Sequence, residues 1–364
     1  MPSFRLLPFL ALLALSTTCT LAERGNPLVE FEGQSVDRMI ADFMRENEVP
    51  GMTLAIVQAP YITRVTGYGL SDPHRKLLAS TNTLFPVAQM AEAYTAVAIL
   101  QLVESGKIKL DDPIGNYVPN LPASWRTIPL RDLVRHSSGL PGTGQQPPAF
   151  EPGTAIAPSA TDYQLLQAVI EKASGQSYQQ FVRANQFDRL GLRHTFFASE
   201  LAQVHSEIFP AGGRHAEFLK KPDLINPLEI AVSSIPPKTK PLPTAIYTSA
   251  LDVSLWDVGL AGEILIKNPE LRKILYTPGT LKNGTKLTTS GPWNFPGRPG
   301  LMITSGSGDG ASAFLSRYTH PDELLCVTLL ANKEGLDLAP LAARIAAAFD
   351  ARLIHTSAIK GRDK

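Results

Sequence analysis

The sequence predicts an α/β sandwich: a sheet made from both ends of the chain, with an all-helical block inserted between them. Three observations carry this. Strand-like runs stand near the start (52–57 and 62–69) and again near the end (301–304, 313–318 and 324–330). The segments between them have helical spacing or read as loops. Helical patterns at 36–44 and 338–353 bracket the whole, placed to cover one face of the sheet.

Each element has a local reason. Apolar residues at 36, 39, 40, 43 and 44 recur at helical spacing, with Ser35 as the cap. Pro50-Gly51 ends that region, and the apolar run 52–57 reads as a buried strand. A second strand, 62–69, follows after a short turn. Residues 88–106 form an apolar helix whose Ser105-Gly106 end is a C-cap signal. The stretches 110–113 and 118–129 are loops. A helix over 162–174 stops at Gly175, and 200–242 is Pro-rich and irregular. Residues 249–264 form another helix, and 338–353 closes the chain as an amphipathic one. There are no internal repeats or low-complexity tracts.

Composition narrows the function classes. At 44% hydrophobic and 18% charged, the chain is globular rather than disordered. A net charge of +1 offers no basis for nucleic acid or an anionic membrane as partner. The first 22 residues read as a signal peptide, with Arg5 before a short apolar core and cleavage near Ala22. The mature chain, 23–364, is then expected to be a single domain that is secreted or periplasmic. Cys19 admits a lipoprotein alternative, on a poor lipobox. No apolar stretch is long enough for a transmembrane helix. Cys326 lies in an apolar strand and is expected to be a buried free thiol. The seven histidines show no metal-ligand spacing, so neither a metal nor another cofactor is expected.

Residues 84–96 read Leu-Phe-Pro-Val-Ala-Gln-Met-Ala-Glu-Ala-Tyr-Thr-Ala and run into the apolar helix. Together with Leu130-Arg131-Asp132-Leu133-Val134-Arg135-His136-Ser137-Ser138-Gly139-Leu140-Pro141, this resembles the serine β-lactamase and penicillin-binding-protein superfamily. The branch is that of class C β-lactamases, esterases and D-aminopeptidases, and the likeness runs over roughly 35–350. It implies a β-lactamase/transpeptidase-like fold. The sheet would be antiparallel, with its part at about 35–80 and 245–355 and a helical part at about 85–240.

The resemblance implies three catalytic stations, and each has lost its polar tools. A serine and a lysine belong where Gln89 and Glu92 stand. An amide is no nucleophile, and a carboxylate reverses the lysine's charge. A tyrosine and an asparagine belong where Pro158 and Ala160 stand, flanking the retained Ser159. A Lys- or His-x-Gly strand belongs at Thr304-Ser305-Gly306, followed by Ser307; only its glycine is kept. Gln89 is expected to donate an amide N–H to Glu92 at i+3. No Lys or Arg occupies any station, so Glu92 is expected to be desolvated without a cation, and Glu92→Gln should stabilise the fold at pH 8. His136, Asp132, Asp162, Glu171, His194, Asp252 and Asp309 read as structural, capping or turn residues. A Ser137- or Ser138-His136 pair is the weaker candidate for a relocated nucleophile, since adjacency in sequence does not give charge-relay geometry.

The expectation is therefore a β-lactamase-related pseudoenzyme that binds a small molecule or a cell-wall or peptide ligand. Gln89, Glu92, Ser159, Ser305, Gly306 and Ser307 are the cleft-lining candidates. Two rivals stand beside it: a serine hydrolase with a displaced nucleophile, and a non-covalent hydrolase that uses Glu92 with water and retained backbone oxyanion donors. Oligomeric state and ligand are not legible.

Overall fold

The order of one eight-stranded antiparallel sheet interleaves the two ends of the chain. Its strands run Leu77–Leu78, Tyr61–Asp72, Gly51–Gln58, Leu325–Ala331, Ala311–Tyr318, Leu301–Gly308, Trp293–Asn294 and Thr289–Ser290. The computed structural model describes residues 25–201, 230–231 and 241–354. The proposed signal peptide, Cys19 and most of the irregular stretch 200–242 lie outside the described residues.

The central register joins the ends directly: Leu54 pairs with Leu329 and Ile56 with Val327. Side chains on a strand alternate between faces, so neighbouring residues serve two different cores. Leu54, Ile56, Val327 and Leu329 pack in the core with the terminal helices Val36–Glu46 and Ala339–Phe349. Ala55, Val57, Cys326 and Leu330 pack on the other face, with the helical block. Ser35 caps the first helix by accepting from Arg38 N at 3.3 Å, as its sequence position predicts. Cys326 is free and buried.

The helix Ala91–Glu104 runs through the larger core. Val97, Ile99, Leu100 and Leu102 are essentially fully buried. Each such side chain stabilises the fold by about 1.5–3 kcal/mol relative to an exposed one. Gly106, at φ +71°, ends it in the left-handed conformation that a glycine adopts without penalty. This helix packs against Ala160–Ser174 and Tyr178–Val182.

Some elements depart from the sequence reading. The helix expected over 88–106 begins instead with a 3-10 turn, Ala88–Met90. The structure adds two helices that the sequence reading above does not place, Leu130–Val134 and Pro269–Tyr276. The second had a signal: Asn268 caps Glu270 N and Leu271 N, and Pro269 fits the first helical turn. A small sheet of Phe85–Pro86, Ile246–Thr248 and Thr195–Phe197 ties the base of the 3-10 turn to the helical block. Its strands are too short to show a period. No helix of the described residues is long and apolar enough to cross a membrane.

Candidate functional site

The strand Leu301–Gly308 touches the 3-10 turn Ala88–Met90 because Gly306 has no side chain. A Cβ there would stand 2.2 Å from Val87 O, 2.7 Å from Met90 N and 2.8 Å from Gln89 N. Ala88 enters the turn at φ +45°, a conformation L-residues rarely adopt. The combination presents Gln89, exposed, at the mouth of the cleft. Its Oε1 accepts a hydrogen bond from Ser307 N at 2.9 Å. A backbone donor on the strand wall is thus occupied by the Gln89 side chain. Ser307 is held in turn, its Oγ accepting from Gly335 N at 2.7 Å.

Glu92 stands one helical turn deeper and has a different partner. Its Oε2 lies 3.2 Å from His136 Nε2, while His136 Nδ1 lies 2.9 Å from Asp162 Oδ2. Asp162 is fully buried, and Ser138 Oγ donates to its second oxygen at 2.5 Å. His136 sits at φ +58°, with Tyr163 against its ring at 5.0 Å between centroids. Tyr163 OH donates to Val134 O and so braces the same turn.

A carboxylate therefore faces each nitrogen of a buried imidazole. Burial alone pulls the pKa of His136 down. Hydrogen bonds to Asp162 and Glu92, with their charges, outweigh burial and raise it to about 9. Burial pushes the Asp162 carboxyl up, against the pull of His136 and Ser138. We place the charge on His136 at neutral pH, because two acceptors favour its doubly protonated form. The Ser159 N–H also points at Nδ1, at 3.3 Å. That contact is no hydrogen bond while Nδ1 donates its proton to Asp162.

This geometry corrects four readings. Gln89 does not donate to Glu92; the two side chains reach opposite walls. Glu92 does have a cationic partner, His136, so the expected gain in stability on Glu92→Gln at pH 8 no longer follows. Asp162 is a buried acceptor rather than a cap or surface charge. The strand donor that a Glu92-based hydrolase would use, Ser307 N, is already engaged. The remaining station residues stay apart. Pro158 and Ala160 are exposed, and Ser159 is buried with its Oγ donating to Pro141 O at 3.0 Å. Thr304 is buried, and its Oγ1 has no hydrogen-bond partner among the described residues. Ser305 is exposed and Gly306 half-buried. Ser137 and Ser138 are buried and donate to Asp132 and Asp162. Asp252 staples a turn, accepting from His194 N at 2.7 Å and Thr195 Oγ1 at 2.9 Å. Among the described residues, no group of three or more His, Cys, Asp or Glu side chains is placed to hold a metal ion.

An antiparallel sheet from both chain ends, a helical block and a cleft between strand wall and buried helix define the β-lactamase/transpeptidase class. The chain matches the beta-lactamase family over residues 36–350 and belongs to it. PbpX of Bacillus subtilis, whose name is that of a penicillin-binding protein, is 28% identical over 266 residues, 68% of this chain and 64% of that one. Protein flp of Staphylococcus aureus is 26% identical over 189 residues, 45% of this chain and 38% of that one. The chain thus spans less than two thirds of the length of these relatives. Among solved structures, the octameric penicillin-binding protein homologue from Pyrococcus abyssi is 21% identical with a TM-score of 0.67, covering 87% of this chain and 76% of that one. A class C beta-lactamase is 18% identical with a TM-score of 0.65, covering 90% and 96%. At these identities the likeness shows the fold.

Proposed function

We propose that this β-lactamase-family protein is a non-catalytic member that binds a ligand through the inherited cleft, without serine acylation. The observation that carries the reading is Gln89. It brings no hydroxyl to the nucleophile position, and its own carbonyl oxygen accepts from Ser307 N, where a substrate carbonyl would otherwise be polarised. Glu92 adds a carboxylate where the resemblance expects a lysine, and its second oxygen, Oε1, has no partner among the described residues. The cleft's surface then favours neutral or cationic ligand groups over carboxylates. A small molecule or a cell-wall peptide fits this reading, and the proposed signal peptide would deliver the protein to such ligands. The test is a titration of the mature protein with peptidoglycan fragments and small esters, with amide shifts followed by NMR. Saturable shifts at Gln89, Ser305 and Ser307 without turnover are expected. Steady turnover of any of these compounds would overturn the proposal.

One observation favours a second reading, non-covalent hydrolysis through the Glu92–His136–Asp162 chain. It is weakened by the charge on His136, which leaves the imidazole no lone pair with which to accept a proton. Turnover across an ester and amide panel that is lost on Glu92→Gln would promote it.

A further inference from the structure

Arg135 caps the C-terminal end of the helix Leu130–Val134. Its guanidinium is half-buried and makes no hydrogen bond or ion pair with any described residue. Burial pulls its pKa down, and Arg131 adds to this against Asp132. A guanidinium still keeps its charge at physiological pH, so a partly desolvated fork of donors stands without an acceptor.

Two adjoining depressions, of about 330 and 290 Å³, share Arg135 and Thr280. Lys273 lines the first, and Arg131 and Lys282 line the second. Two carboxylates also line them, Glu270 and Asp132. Asp132 is buried and already accepts from Ser137 at 2.8 Å. Arg131 and Lys282 turn outward to Asp111 and Glu151, at 2.7 and 2.8 Å. Arg135 and Lys273 are the two cations of the depression without an ion pair among the described residues.

We propose that this depression is an oxyanion site, separate from the cleft, that takes a phosphate group. A phosphate group offers three acceptor oxygens, enough for the Arg135 fork and the Lys273 ammonium together, whereas a carboxylate offers two. The planar guanidinium binds two oxygens of a tetrahedral anion at once, and Lys273 supplies a point charge beside it.

The test titrates the purified protein with inorganic phosphate, α-glycerophosphate and acetate, each against sodium chloride at matched ionic strength so that screening cancels. The thermal midpoint and backbone amide shifts are followed. A saturable rise with phosphate or its ester, with shifts at 135 and 279–281, is expected. Tighter saturation by the ester assigns the site to a phosphorylated molecule, and by the inorganic anion to free phosphate; either supports it. Arg135→Gln should abolish saturation. Lys273→Gln, at an exposed position where folding is secure, should weaken it by about tenfold or more. Lys107→Gln, exposed and outside the depression, should leave it unchanged. Phosphate indistinguishable from chloride, acetate binding as tightly as phosphate, or Lys273→Gln binding like wild type would overturn the proposal.

Discussion

Gln89 Oε1 accepts the Ser307 N–H at 2.9 Å across the cleft, joining the 3-10 turn Ala88–Met90 to the strand that faces it. The chain thereby engages a strand donor of the cleft with its own amide oxygen. Gln89→Ala should free that donor. The Ser307 amide is expected to exchange faster with solvent and shift in the NMR spectrum, while stability changes by less than about 1 kcal/mol. An unchanged Ser307 amide would mean that the contact does not persist in solution.

Penicillins and fluorophosphonate probes are expected to leave the intact mass unchanged. Ser137, Ser138 and Ser159 are buried and donate to acceptors inside the fold. A stoichiometric adduct on any serine would restore the displaced-nucleophile reading.

Glu92→Gln should destabilise the protein by about 1 kcal/mol at pH 6.5, because it removes one of two carboxylates that hold His136 charged. The folded pKa of His136, about 9, lies above its ordinary 6.5. The charge therefore contributes fully below the lower value and is lost as pH rises through the higher one. The gap between wild type and variant should close by pH 10. Urea midpoints at the two pH values measure it, and a gap that widens at pH 10 would refute the charged-imidazole assignment.

The double substitution Gln89→Ser, Glu92→Lys should restore no β-lactam or ester hydrolysis, since Pro158, Ala160 and Thr304 still lack the partner groups. It should also lower stability, by about 2 kcal/mol, by setting an ammonium beside the charged His136 in place of a carboxylate. Hydrolysis assays and denaturant midpoints check the two parts separately.

Gly306→Ala should destabilise by at least about 2 kcal/mol, because its methyl group would meet backbone atoms that cannot swing aside. A variant as stable as wild type, by thermal or denaturant midpoint, would show that strand and turn separate easily.

The sequence by itself determined the fold class, and with the resemblance it pointed to Gln89 and Glu92 as the residues of interest. Unbroken apolar runs at 52–57 and 324–330 and helical spacing at 36–44 are local properties: the runs report strands buried on both faces, and the spacing reports which face of a helix is buried. The change from hydroxyl and ammonium to amide and carboxylate at Gln89 and Glu92 is likewise written in residue type. Tertiary structure alone decided where those two side chains point. A helix places positions i and i+3 side by side, so sequence reasoning paired Gln89 with Glu92. The cleft offered each a better partner: a strand N–H more than 200 residues away for one, and an imidazole 44 residues away for the other. His136 and Asp162 were legible as residues but not as a pair, because hydrogen bonding between distant segments leaves no periodic trace in the chain. Their meeting depends on the turn at His136 docking against the start of the helix Ala160–Ser174, and that docking sets the charge of the cleft.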